Sequence, residues 1–378
     1  MIYLDHAAAT PILPAVIEAL HNAQSEHFAN ASAAHGLGRK QLKEVENCRQ
    51  IFSKILKAND EDQLIFTASA TESNNLLIKG LELSAGDRVL YCQADHPSLE
   101  MPVRSLEKSG VIAEKIELDQ LGQVDLNQLA ERLDSSVKLL VLGHVNNLSG
   151  CIQPVAQVGQ LLSELAPGAH FHLDAVQSFG KIELASSYDS LSLSSHKIGG
   201  PKGAALLHLK KEIRLTPFLD GGGQEGGLRS STLAYPLIKG FSLAAEQILE
   251  GQVSCYEKVS LLNGYLREQL QKSHRSLQIP FEQAQTSPYV LMFIVPGISS
   301  DVILRHLGEK EIYLSSSSAC SSKIKAKNPV FSALGLPEKY HKNVLRLSLS
   351  GGTTEAELEL FLEEWRRLIA DIGYLFKA

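Results

Sequence analysis

Four short stretches hold the side chains best suited to chemistry. "SLSSHKIGGPKG", residues 192–203, sets Lys197 between an apolar run and a glycine turn, beside Ser194 and His196. Most lysines are solvated surface charges, but a surface charge has no need of an adjoining histidine, serines and a tight turn. A lysine held in a dry cleft can lose its proton and form a Schiff base with a carbonyl cofactor. "AHFHLDAVQSFGK", residues 169–181, puts His170, His172 and Asp174 on one face of a strand. Two imidazoles and a carboxylate there could ligate a metal. Alternatively, Asp174 could pair with the pyridine nitrogen of pyridoxal phosphate, making the ring an electron sink, while the histidines are simply buried and hydrogen-bonded. Lys197 tips the choice toward pyridoxal phosphate. "FTASATESNN", residues 66–75, places Ala70 and Thr71 at a strand-to-helix turn, where free N–H groups and a hydroxyl suit an anion. On its own that signal is unspecific, since threonine caps many helices, and the glycines at 199–203 lack the ending of a Walker loop. "LSSSSACSSK", residues 314–323, sets one thiol, Cys320, in a run of small hydroxyl residues that reads in isolation as a solvated loop.

The elements that must position these groups follow a rhythm. From residue 63 to about 211, the runs "QLIFT", "RVLYC", "VKLLVLGHV", "AHFHLDA", "SLSLSS" and "GAALLHL" alternate with helical patterns. This is the signature of βα units around a mostly parallel sheet, hence an α/β fold. Several runs are followed closely by Thr71, His96, Asn147, Asp174 and Lys197. Ligands of open α/β sheets bind outside the carboxyl ends of the strands, so these five can share one site. Residues 39–57 read as an amphipathic helix with Leu42, Val45, Ile51, Phe52, Ile55 and Leu56 on its apolar face. The glycine-rich stretch 218–232 is a long, shaped loop, and 234–272 is mainly helix. Thr354 and Glu357 form a capping box ahead of a last helix carrying Leu358, Phe361, Trp365, Leu368 and Ile372.

At 378 residues the chain exceeds one core, so two domains are expected. The division read here is a large domain over 16–255 and a smaller α+β domain over 256–378, the latter joined by the segment 1–15 and carrying a loop at about 315–330. A composition of 44% hydrophobic and 21% charged residues, with a net charge of -6, is that of a globular protein with no nucleic-acid surface. No stretch reaches the roughly 18 apolar residues of a membrane helix, and the N-terminus reads as neither a secretory nor a targeting segment, so a cytoplasmic protein is expected. Cys48, Cys92, Cys151, Cys255 and Cys320 show no disulfide or zinc spacing. All but Cys320 read as core residues, Cys151 buried and inert among them.

Taken together, the chain resembles the cysteine desulfurases of NifS/IscS type in the class V aminotransferase superfamily, whose pyridoxal-phosphate fold is type I. The likeness runs nearly end to end, through "YLDHAAATP", "FTASATESNN", "ADHPS", "HVNNLSG", "HLDAVQSFGK", "SSHKIGGPKG", "GGGQEGGLRSST", "SSSSACSS" and "LRLSLSGGTT". The resemblance implies that Lys197 binds the cofactor and moves protons, that Asp174 pairs with its ring nitrogen, and that Asn147 and Gln177 bond its phenolic oxygen. It implies His96 as the stacked imidazole and acid/base, Ala70, Thr71, Ser194 and His196 as the phosphate cup, and Thr232 as completing a neighbouring subunit's cup in a homodimer. Arg346, with Asn147, would hold the carboxylate of L-cysteine. Cys320 would be the nucleophile that takes the sulfur as a persulfide, releases alanine and passes the sulfur to an acceptor or iron–sulfur scaffold protein.

Six positions depart from that pattern: Ser69, Ser231 and Ser317 stand where the family has glycine, Leu148 replaces an acidic residue, Gly199 an aromatic one and Gly226 a basic one. Loss of positive-φ freedom at the three serines predicts reshaped turns. Alternative readings are a selenocysteine lyase or another class V lyase or aminotransferase, a sulfur-transfer scaffold of low turnover, and a metal-dependent hydrolase using His170, His172 and Asp174.

Overall fold

The computed structural model describes residues 1–210, 213–217, 219–316 and 328–372. Cys320, Ser317 and most of the serine run lie outside the described residues. A short strand β1 (Ile2–Tyr3) leads into helices α1 (Pro14–Glu26) and α2 (Gly36–Leu56). The alternating region then runs β2 (Gln63–Thr67), α3 (Ala70–Gly80), β3 (Arg88–Cys92), α4 (Pro97–Ser105), β4 (Ile112–Ile116), α5 (Leu126–Arg132), β5 (Val137–Gly143), α6 (Val155–Leu165) and β6 (His170–Asp174). Strands β7 (Ser190–Ser194) and β8 (Ala205–Leu209) complete it.

These strands form one seven-stranded sheet in the order β2-β8-β7-β6-β5-β3-β4, in which β8 alone runs against its neighbours. The mostly parallel α/β architecture expected from the alternation is therefore present. Both faces are covered, which is why β3 and β5 read as near-continuous apolar runs and why the alternating serines of β7 are buried as well. Val89 and Tyr91 of β3 pack with Leu99 and Val103 of α4 and Ile78 of α3. Leu90 and Cys92, of opposite parity, belong to the larger core shared with α2, α6 and the next helix, α7 (Tyr235–Glu250). The chain reverses its direction of strand addition between β3 and β5, so the crevice of a doubly wound sheet opens there.

On α2 the apolar face differs from expectation. Val45, Phe52 and Leu56 are buried, but Leu42 is 45% exposed and Gln41 and Cys48 occupy the inner face instead. The sequence window missed that an inward stripe one residue away satisfies the same 3.6-residue period.

A second core begins with α8 (Gln252–Ser273), which contributes Val259, Leu262, Leu266 and Leu270 to it. There β9 (Val290–Ile294), α9 (Ser300–Glu309), β10 (Ile312–Tyr313) and β11 (Val344–Ser348) precede α11 (Glu355–Ile372), while α10 (Pro329–Ala333) buries Phe331 in the first core. Strands β9 and β11 pair antiparallel, and β1 pairs parallel with β10, so Ile2 and Leu4 join this core. The capping box forms, with Thr354 N–H donating to Glu357 Oε2 at 2.9 Å and Glu357 N–H to Thr354 Oγ1 at 3.2 Å. Leu358, Phe361, Trp365 and Leu368 are buried below it. No helix among the described residues is long and apolar enough to cross a membrane.

Candidate active site

The carboxyl ends of β3, β5, β6 and β7 open into a cavity of about 950 Å³. Ala70, Thr71, His96, Asn147, Asp174, Gln177, Ser194, His196, Lys197 and Arg346 all line it. Ten of the residues singled out in the sequence thus converge, although they span almost 280 positions. Thr232 does not; it is exposed and lies outside its own chain's cavity.

Each side chain is held by local structure. Lys197 ends a short 3-10 turn after β7, and its Nζ donates to the carbonyls of Ala7 and Ala8 at 2.6 and 2.8 Å. Asp174, the last residue of β6, accepts Val176 N–H on Oδ1 and Asn74 Nδ2–H on Oδ2, both at 3.0 Å. His96 caps α4, its Nδ1 accepting Ser98 N–H at 3.1 Å and lying 2.8 Å from Ser98 Oγ. Burial lowers the pKa of His96, and Lys197 adds to this against the pull of Asp174, so the imidazole is a neutral group at physiological pH. His196, paired to Ser194 Oγ at 3.0 Å, is lowered to about 4 by burial first and by Lys197 next.

Ala70 and Thr71 open α3, so first-turn N–H groups with no partner in the helix are available to an anion. Ser69 corrects one expectation. Its φ of −163° is ordinary extended backbone, and its side chain caps α3 by accepting Glu72 N–H at 3.1 Å, so a serine here strains nothing.

Arg346 comes from β11, is 5% exposed, and reaches across to Asn147 O at 2.8 Å and Asp5 Oδ1 at 2.5 Å. Its buried Nε has no hydrogen-bond partner among the described residues, so one donor of the guanidinium is unused.

The metal reading of His170, His172 and Asp174 is not supported by this geometry. His172 has Ser190 Oγ at 2.7 Å from Nδ1 and Asn74 Oδ1 at 3.0 Å from Nε2, so both ring nitrogens are occupied. Among the described residues no group of three His, Cys, Asp or Glu side chains is arranged to hold a metal.

The model of the class-V aminotransferase family matches residues 2–361. A cysteine desulfurase of Nostoc sp. is 32% identical over 368 residues, covering 96% of this chain and 91% of the relative. The chain belongs to the cysteine desulfurase family of class-V aminotransferases. A solved NifS-like protein superposes with a TM-score of 0.91 at 27% identity, covering 98% of this chain and 99% of the other. The solved SspA in complex with cysteine gives a TM-score of 0.80 at 30% identity, with 94% and 100% covered.

In this desulfurase fold the structure adds residues that the sequence reading passed over. Asp95, next to His96, is buried and accepts Gly143 N–H at 2.7 Å. Lys181 is buried and donates to Gln177 Oε1 at 3.1 Å, while Gln177 Nε2 donates to Ala7 O at 2.9 Å. Burial, reinforced by Lys197 and Arg346, lowers Lys181 to about 7. Asn74 is fully buried between Asp174 and His172. The positions of Asp95 and Lys181 inside "ADHPS" and "SFGK" were the available signals. Cys151 is buried, with burial raising its thiol to about 11, which fits an inert core residue. Cys255 is only partly buried, unlike the core position expected.

Proposed function

We propose that this chain binds pyridoxal phosphate in the 950 Å³ cavity and uses it to take sulfur from L-cysteine, leaving L-alanine and a persulfide on Cys320. The convergence of Lys197, Asp174, His96 and Arg346 in one cavity carries the reading. The residues present fit the group: an amine for its carbonyl, a carboxylate with both oxygens oriented, an imidazole, a helix start with a hydroxyl for its phosphate, and a buried guanidinium with an open Nε. When bound, the cofactor supplies the electron sink that accepts the pair left as the Cα proton departs.

The chain's own residues do the rest. Asp174 holds the ring nitrogen, and Asn147 and Gln177 meet the phenolic oxygen. Ala70, Thr71, Ser194 and His196 hold the phosphate, whose charge suits the start of α3. Arg346 would receive the substrate carboxylate in place of Asp5 and so orient the substrate toward Lys197, which lines the same cavity. Lys197 takes the Cα proton, and neutral His96 serves as acid/base toward the substrate thiol. The Cys320 thiolate attacks the substrate sulfur. An S–S bond forms as the C–S bond breaks, and protonation of the carbon fragment gives alanine. The persulfide then passes to an acceptor or iron–sulfur scaffold protein in the cytoplasm, where thiols stay reduced.

A homodimer completes the site. Thr232 is exposed, and Ile17, Phe28, Leu37 and Leu42 expose apolar side chains around α1 and α2 that a second copy would cover. The solved relative in complex with cysteine supports the substrate. The test is to incubate purified protein with L-cysteine and measure alanine together with a persulfide on Cys320. Cys320→Ala should keep the visible absorbance that Lys197→Ala abolishes, and should lose sulfur release. Release at the wild-type rate from Cys320→Ala would refute the persulfide route.

A further inference from the structure

The "HFHLDA" motif has a role in this fold beyond supplying Asp174. His172 is fully buried, and burial pushes its pKa well below the ordinary value, so it is a neutral ring with one N–H. Its Nε2 faces Asn74 Oδ1 at 3.0 Å, and a carbonyl oxygen only accepts, so that nitrogen carries the hydrogen. Nδ1 is then bare and accepts from Ser190 Oγ at 2.7 Å. With its hydrogen used there, Ser190 Oγ accepts from His170 Nε2 at 2.7 Å.

The other end of Asn74 is equally constrained. Its Nδ2 donates to Asp174 Oδ2 at 3.0 Å and to Ser98 Oγ at 2.9 Å. Ser98 therefore turns its own hydrogen to His96 Nδ1 at 2.8 Å, which leaves the His96 proton on Nε2. Every donor in the string points one way, from His170 through Ser190, His172 and Asn74 to both Asp174 and His96. The Asp174 carboxylate fixes the amide independently of the histidine: a flipped Asn74 would set its oxygen against Asp174 Oδ2, an acceptor against an acceptor.

We propose that His172 is a positioning residue that, through Asn74, sets the two groups flanking the cofactor ring, Asp174 and His96. This rests on the proposed function for the roles of those two groups, but the proton placement does not. Losing the His172 donor leaves the Asn74 amide held only at its nitrogen end, so the partner that orients Asp174 is itself less firmly held.

The test uses three variants of the full chain. His172→Leu removes the donor, His172→Gln can return an N–H near the Nε2 position, and Asn74→Asp keeps an acceptor for His172 but abolishes both donations. Nitrogen-15 spectra of histidine-labelled, cofactor-free protein should show His172 and His96 protonated at Nε2. Pyridoxal phosphate titrations should show roughly tenfold weaker binding in His172→Leu, about the value of one buried hydrogen bond, a larger loss in Asn74→Asp, and recovery to within about twofold in His172→Gln. Turnover should fall in parallel, with the KM for L-cysteine unchanged because Arg346 is untouched.

A His172 proton found on Nδ1 would overturn the inference, as would wild-type cofactor affinity in a folded His172→Leu, or equal loss in the Leu and Gln variants. A wild-type protein that binds no pyridoxal phosphate would instead refute the proposed function, and the nitrogen-15 spectra would still decide the relay.

Discussion

Replacing Asp95 by asparagine should change how stability depends on pH, by an amount that follows from its setting. Asp95 is 5% exposed, and burial raises its pKa from 3.8 to about 8, with Asp174 adding to the effect and Gly143 N–H opposing it. Between those two values the folded chain holds one proton more than the unfolded chain. The contribution is thus fully present below the unfolded pKa, and stability is lost as pH rises toward 8. One proton over two pH units is worth about 2.7 kcal/mol, and the approach to the folded pKa trims this to about 2.5 kcal/mol between about pH 5.5 and about pH 7.5. The amide introduced by Asp95→Asn would not titrate, while its oxygen could still accept Gly143 N–H. Urea unfolding of cofactor-free wild type and Asp95→Asn, at matched concentration and at both pH values, measures the difference directly. Wild type should lose about 2.5 kcal/mol relative to the variant as pH rises across that window. Curves whose separation stays constant within about 0.5 kcal/mol would show that Asp95 is not held protonated in the folded state.

Arg346→Ala should raise the KM for L-cysteine by an amount equivalent to about 2 to 4 kcal/mol, since a buried guanidinium–carboxylate pair is lost; an unchanged KM in steady-state assays would assign the carboxylate to another cation. Arg49→Ala should destabilise the fold by about 3 to 5 kcal/mol in chemical denaturation, because it strands a buried Glu225 carboxylate. Arg49 meets Glu225 with two bonds of 2.8 and 2.9 Å, and Glu225 also accepts Phe66 N–H at 2.7 Å. A loss below about 1 kcal/mol would mean that the pair behaves as a surface ion pair.

The sheet was legible because strands such as β3 and β5 are buried on both faces and read as apolar runs, and the cavity lies where the strands end. What escaped the reading was amphipathic or polar. Strand β4, "IAEKI", is half exposed, with Ile112 45% exposed, and gives neither an apolar run nor a clean alternation. On α2 the sequence placed Leu42 inward where the fold chose Gln41 and Cys48. Asn74, Asp95 and Lys181 are residue types usually found at the surface, and only their partners reveal that they are buried. The HxHxD motif shows the same limit. Its spacing fits a metal triad and a hydrogen-bonded string equally well, and the difference lies in Ser190 and Asn74, which are distant in sequence.

Two of the departures from the family pattern are explained by what surrounds them. At Gly199, where the family carries an aromatic residue, φ is +83° and an added Cβ would lie 2.7 Å from Leu13 Cγ. The glycine is therefore tied to the way Leu13, just ahead of α1, packs over the turn after Lys197, and its N–H is taken by Thr10 Oγ1 at 2.7 Å. At Gly226, in place of a basic residue, φ is +64° directly after Glu225 at +51°. With Gly227 at +86°, three consecutive left-handed residues turn the chain where Glu225 reaches inward to Arg49 and Phe66, and glycines bear the second and third at no steric cost. The loop that leads to Thr232 is thereby fastened to α2 and β2 of its own subunit. In the proposed homodimer, where Thr232 would serve the neighbouring cofactor site, that fastening would link α2 to the residues that would hold the partner's phosphate. Arg49→Ala should then weaken cofactor binding as well as stability, although Arg49 lies outside the cavity lining.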